Sequence, residues 1–268
     1  MKRTLRVVPA VLLLLALIGI WELYVDLKGP TFSLILPSPH QVAKSLYNDR
    51  SLLWSSFLVT AQEVLLGILA ATVIGAVLSI AIHFSPTLRR ATYPLIVASQ
   101  AVPVAVFAPV LAFWLGFGIL PKLVVVAIVS FFSIVVTATA GLDAVDPDLI
   151  KVMRTFDASR LTTFRHVELP SALPSVFAGA KIAVAVSVIG AVFAEYTGSN
   201  SGLGYVILVS EPQLLSARAV AATVILSVFA IALFALLALA ERLALPWAYV
   251  PRGERATAYA PDLMERPA

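Results

Sequence analysis

Long apolar stretches separated by short polar ones dominate the chain. Apolar runs occur near 7–24, 62–83, 93–114, 120–141, 176–195 and 219–240, each close to the ~20 residues that a helix needs to cross about 30 Å of hydrocarbon. The pattern predicts an all-α polytopic fold with about six transmembrane helices. The longest polar interruption, between the fourth and fifth runs, contains the basic stretch KVMRTFDASRLTTFRHVELPSALP at 151–174. Its local signals predict two short helices. Asp146 can cap the first, with Pro147 at the first helical position, where the missing N–H costs nothing, and DLIKVMRTF supplies the body. Asp157 sits at the break. Ser159 can cap a second helix running toward His166, which Pro170 and Pro174 are expected to end before the chain restarts into the fifth span.

Composition agrees with the pattern: of 268 residues, 60% are hydrophobic and only 13% charged, with a mean hydropathy of +0.96. These values lie outside the range of soluble domains. The first run follows Lys2, Arg3 and Arg6, as a signal peptide's apolar segment would. However, no small-x-small cleavage site follows it, and WELYVDLKGP supplies Trp21 and Tyr24 as interfacial anchors. We therefore read it as a retained helix. The loop charges then orient the chain. Lys2, Arg3, Arg6, Arg89, Arg90, Lys151, Arg154, Arg160, Arg165, Arg242, Arg252, Arg255 and Arg266 fall on one side, against Lys28, Lys44, Arg50, Lys122 and Arg218 on the other. The positive-inside rule puts both termini of a multi-pass membrane protein in the cytoplasm. The net charge of +4 follows from that topology and calls for no nucleic acid. Residues 1–245 read as one transmembrane domain, with its longest cytoplasmic loop at 143–174, and 246–268 as a flexible polar tail.

Little in the chain suggests catalysis. There is no G-x-x-x-x-G-K-[ST] loop, no cysteine, and His40, His83 and His166 are scattered without metal-ligand spacing, so neither an enzyme site nor a metal site is expected. Polar groups inside the spans are few. In the third run Pro103 and Pro109 can kink the helix and free carbonyls, which makes Ser99, Gln100 and Pro103 candidates for a translocation pathway, or for helix-to-helix hydrogen bonding. Glu195, near the outer end of the fifth run, either faces that pathway or a docking partner, or is an interfacial residue. Lys181 is expected to snorkel to the headgroups. The small residues of GILAATVIGA at 67–76 and SVFAGAKIAVA at 175–185 allow close helix packing. Carboxylates in the spans are too few for an obvious proton relay, which weakens the alternative of an ion-coupled secondary transporter.

The loop resembles the EAA motif of binding-protein-dependent ABC importer permeases, which reads E-A-A, three residues, G, nine residues, a hydrophobic residue, any residue and L-P. Val167-Glu168-Leu169-Pro170 matches its end, and RTFDAS at 154–159 resembles the usual RTLGAS. Lys151-Val152-Met153 replaces E-A-A, and Asp157 replaces the glycine. LPSPHQVAKSL at 36–46, AVPVAVFAPVLAFWLGFG at 101–118 and AEYTGSNSGLGYVI at 194–207 are similar to the nitrate, sulfonate, taurine and thiamine-precursor branch of these permeases. The resemblance implies a type I ABC importer architecture in which two permease copies, a homodimer, form the pathway within membrane lipid of the bacterial cell (inner) membrane. Separate ATPase subunits bind ATP and Mg, so no cofactor is expected on this chain, and an extracytoplasmic solute-binding protein delivers a sulfonate- or nitrate-like anion or a thiamine-pyrimidine-like precursor. It also implies that Lys151, Met153, Arg154, Phe156, Asp157, Ala158, Ser159, Leu169 and Pro170 form the ATPase-coupling segment, with Met153 and Phe156 as apolar anchors beside the Arg154 cation.

Overall fold

The computed structural model describes residues 4–101 and 103–249, and among these all regular structure is helical. The elements follow in order as α1 Thr4–Lys28, α2 Pro30–Ser33, α3 Pro39–Asn48, α4 Arg50–Phe84, α5 Pro86–Ser99, α6 Val104–Leu115, α7 Ile119–Asp143, α8 Pro147–Thr155, α9 Arg160–Thr163, α10 Leu169–Tyr196, α11 Leu203–Ser210 and α12 Ser216–Ala244. Among the described residues, four helical stretches are long and apolar enough to span a membrane: α4, α7, the run Arg160–Tyr196 and α12. A fifth is available if α5 and α6 are taken together. The first apolar run lies within α1, which packs mainly against α2 and α3. Of the tail expected at 246–268, Pro246–Tyr249 forms a single 3₁₀ turn, and 250–268 lie outside the described residues.

The third run departs from a single straight span. It is two helices bent by 104°. Pro103 takes an extended conformation at the start of α6 (φ −66°, ψ 121°), whereas Pro109, inside α6, does not interrupt it. The reason is positional: a helix that begins at Val104 does not need the Pro103 N–H.

Three helices form the centre. Buried faces of α4, α7 and α10 meet where small residues let backbones approach. An added Cβ on Gly75 would lie 2.9 Å from Ile134 Cγ2, and one on Gly179 would lie 2.8 Å from the Ser133 carbonyl oxygen. The glycines of the two small-residue stretches are therefore contact points between helices, as their spacing suggests. Around this centre, α11 and α12 cover α10, and α3 packs on α12. Asp49, between α3 and α4, accepts from Arg218 at 2.8 Å and Ser45 at 2.7 Å. Partial burial opposes its ionisation, but these two hydrogen bonds prevail and hold its carboxyl below the usual range.

The loop after α7 corrects one expectation. Pro170 and Pro174 neither end a helix nor restart one, because the chain runs helically from Arg160 to Tyr196. A π turn at Phe164–Glu168 precedes Pro170, with the Leu169 N–H bonded to the Phe164 carbonyl. This wider i→i+5 turn admits the proline ring in place of a break.

Candidate functional site

The 146–159 segment folds as its local chemistry requires. Asp146 caps α8 by accepting from the Asp148 N–H at 2.9 Å, and Pro147 occupies the first turn. At the other end the Asp157 N–H donates to the Arg154 carbonyl at 3.0 Å and the Ala158 N–H to the Met153 carbonyl at 3.1 Å. This pair of bonds is a Schellman motif, and it requires a left-handed residue, here Asp157 with φ 50°. Ser159 then caps α9 by accepting from the Thr162 N–H at 3.2 Å. The substitution of Asp for the motif's glycine thus preserves the bend.

No residue of α8 is buried within the chain. Phe156 is 77% exposed, and Leu149, Val152 and Leu161 are exposed beside it, with Arg154 on the surface and Met153 and Ala158 half-buried. Lys151, at the first position of the altered E-A-A triplet, pairs with Asp148 at 2.7 Å on the open surface, where such a pair contributes little. The nine coupling candidates therefore divide into two groups. Residues 151–159 project outward as an apolar patch with flanking charges, whereas Leu169 and Pro170 lie at the root of the loop, with Leu169 packed on the cluster of Leu142, Phe164 and Ala172. Asp157→Gly is expected to leave coupled activity intact, because Gly takes φ > 0 without a Cβ penalty, whereas Asp157→Val should disrupt the bend and lower it. Unchanged ATP-driven uptake in the valine variant would show that the bend is dispensable.

The pathway candidates separate as well. Ser99 and Gln100, at the end of α5, line a cavity of about 490 Å³ together with Val104 and Phe107 of α6 and Val125, Ile128 and Phe131 of α7. Pro103 is exposed at the bend beside it. Ser99 donates to the Ile96 carbonyl at 2.7 Å, leaving Gln100 as the exposed amide of that wall. Glu195 does not line this cavity. It is completely buried and caps α11 from α10, accepting from Thr60 Oγ1 at 2.6 Å and from the backbone N–H groups of Gly204 at 2.5 Å and Tyr205 at 3.3 Å. Thr60 in turn accepts from the Leu203 N–H at 2.8 Å. A Cβ on Gly204 would come within 2.8 Å of the carboxylate, so a glycine is needed for this approach.

Several buried charges escaped the reading of the sequence. Lys122, counted there as a loop cation, is buried at the start of α7 and donates to Glu63 Oε1 at 2.7 Å and Ser199 Oγ at 2.6 Å. Lys181 corrects a second expectation, since it forms an ion pair with Glu241 of α12 at 2.5 Å instead of reaching alone for the headgroups. His83 Nε2 lies 2.8 Å from Glu168 Oε2 at the loop's root. The available signal was that a charge inside an apolar run must find a partner; it says nothing of which partner.

Residues 63–244 match the family described as binding-protein-dependent transport system inner membrane component. The chain is 33% identical over 248 residues to the formylaminopyrimidine transport permease protein of Halalkalibacterium halodurans, covering 92% of this chain and 98% of that protein. It is 32% identical over 237 residues to the riboflavin transport system permease protein of Chloroflexus aurantiacus, covering 87% and 88%, and 28% identical over 222 residues to the taurine transport system permease protein of Escherichia coli, covering 80% of each. Among solved structures, a chain of the MetNI methionine ABC transporter in inward-facing conformations superposes with a TM-score of 0.62 at 18% identity, over 76% of this chain and 99% of that one.

Proposed function

Because this chain belongs to the binding-protein-dependent transport system inner membrane component family, we propose that it is the pathway-forming permease of an ATP-driven importer for a small solute. On this reading a second copy completes the pathway within membrane lipid. A solute-binding protein delivers the ligand from outside. ATP and Mg bind on separate ATPase subunits, to which α8 docks, and both termini lie in the cytoplasm. The observation that carries the reading is the form of α8. A short amphipathic helix with no buried residue and with Leu149, Val152 and Phe156 exposed, held at both ends by caps and rooted in two spanning helices, suits a partner groove better than open water. For the ligand, the relatives' names support a sulfonate- or nitrate-like anion or a thiamine-pyrimidine-like precursor, the latter favoured by the match to the formylaminopyrimidine permease over almost the whole length of both chains.

The test is uptake into proteoliposomes holding the permease with its ATPase, supplied with the solute-binding protein and either formylaminopyrimidine or taurine. Uptake of one of them that needs ATP and survives a protonophore is expected. Uptake that needs an ion gradient and ignores ATP would establish the secondary transporter instead. For orientation, a reporter active only in the cytoplasm should work when fused after residue 160 and fail near residue 205; the reverse would overturn the topology.

A further inference from the structure

Two of the three central helices are joined to the coupling segment by the backbone itself, since α7 leads into α8 and α9 continues into α10. The third, α4, ends at Phe84, far from the loop in sequence. It can follow the loop only through side chains. Those side chains are present. His83, in the last turn of α4, places Nε2 2.8 Å from Glu168 Oε2 in the π turn, and the two side chains are only 16% and 11% exposed. A carboxylate there accepts from the ring N–H. The His83 ring packs against Phe84 and Phe164 at centroid distances of 5.3 and 5.8 Å, and Phe84 meets Phe164 at 5.1 Å. From the other side, the guanidinium of Arg160, the first residue of α9, lies 4.9 Å from the centre of the Phe84 ring and donates to the His83 carbonyl at 3.5 Å.

We infer that His83, Glu168 and Arg160 form a clasp that carries displacement of the coupling segment to α4, with His83 and Glu168 as positioning residues for transport. The inference rests on the permease reading above and adds to it a polar load path to a helix that the loop's backbone does not reach, beside the apolar packing of Ile80 and Phe84 on the same cluster and the Arg89–Asp143 ion pair just after α4. An apolar cluster alone could slide. A directional hydrogen bond sheltered from water fixes the register between α4 and the π turn, where the helix is least regular.

The chain contains no cysteine, so introduced cysteines label uniquely. Spin labels on the pair Val77→Cys and Val224→Cys report α4 against α12, and on Ala178→Cys and Val224→Cys report α10 against α12; all three positions are exposed. Distances are measured in the permease–ATPase complex with and without ATP trapped by vanadate. With His83 and Glu168 intact, both pairs should shift. In His83→Ala the α4 shift should be lost while the α10 shift persists, and His83→Gln, which can still donate to Glu168, should restore it. An α4 shift that persists in both His83→Ala and Glu168→Ala would overturn the clasp alone. If neither pair responds to ATP in the unsubstituted background, the transport reading falls and the clasp with it. Should His83→Ala fail to assemble, His83→Gln against Glu168→Ala supplies the same comparison, and equal shifts in those two would also overturn it.

Discussion

Lys122→Ala is expected to lower the thermal stability of the purified protein sharply. Lys122 is buried and donates to both Glu63 and Ser199, and Glu63 is 1% exposed. Removing the ammonium leaves the buried Glu63 carboxylate without its counter-charge. Breaking one side of such a pair costs about 3–5 kcal/mol, which for a chain of this size corresponds to a fall of about 10 °C in the unfolding midpoint. The double variant Glu63→Leu with Lys122→Met removes both charges and keeps the volume, so most of that stability should return. Thermal unfolding in detergent decides the matter. A midpoint unchanged in Lys122→Ala would mean that this pair is not what joins α4 to α7 at that end.

Phe156→Ala should weaken binding of the ATPase partner by one to two orders of magnitude without affecting membrane insertion. Phe156 is 77% exposed in the isolated chain, at the end of a helix with no buried residue. Burying such a side chain in a groove contributes about 1.5–3 kcal/mol, and about 1.4 kcal/mol corresponds to tenfold in affinity. The spans are untouched by the change. Co-elution of permease and ATPase, followed by ligand-stimulated hydrolysis, measures the effect; normal association together with normal stimulation would place the docking contact elsewhere.

Much of the 146–159 segment was legible from the residues because its determinants are local. Asp146, Pro147, Asp157 and Ser159 act on neighbours within a few positions, and the structure places each in the role its chemistry suggests. The bend between α5 and α6 was half legible: prolines marked the region, but only the folded chain shows that Pro103 breaks the run and Pro109 does not. The prolines at 170 and 174 misled, since the π turn before Pro170 makes room for its ring and Pro174 sits inside α10 without ending it.

Hydropathy, capping and backbone preference are short-range properties of the chain, and they sufficed to determine the apolar runs, the small-residue contact faces and the helix–break–helix at 147–163. The tertiary structure alone decided the polar interior. Lys122 finds Glu63 across 59 residues, His83 finds Glu168 across 85, and Thr60 finds Glu195 across 135. A charge or polar group buried in an apolar setting must have a partner. Which partner it meets depends on the rotation and depth at which the helices pack, and that register is set by many small contacts, none of which can be read from the charged residue itself.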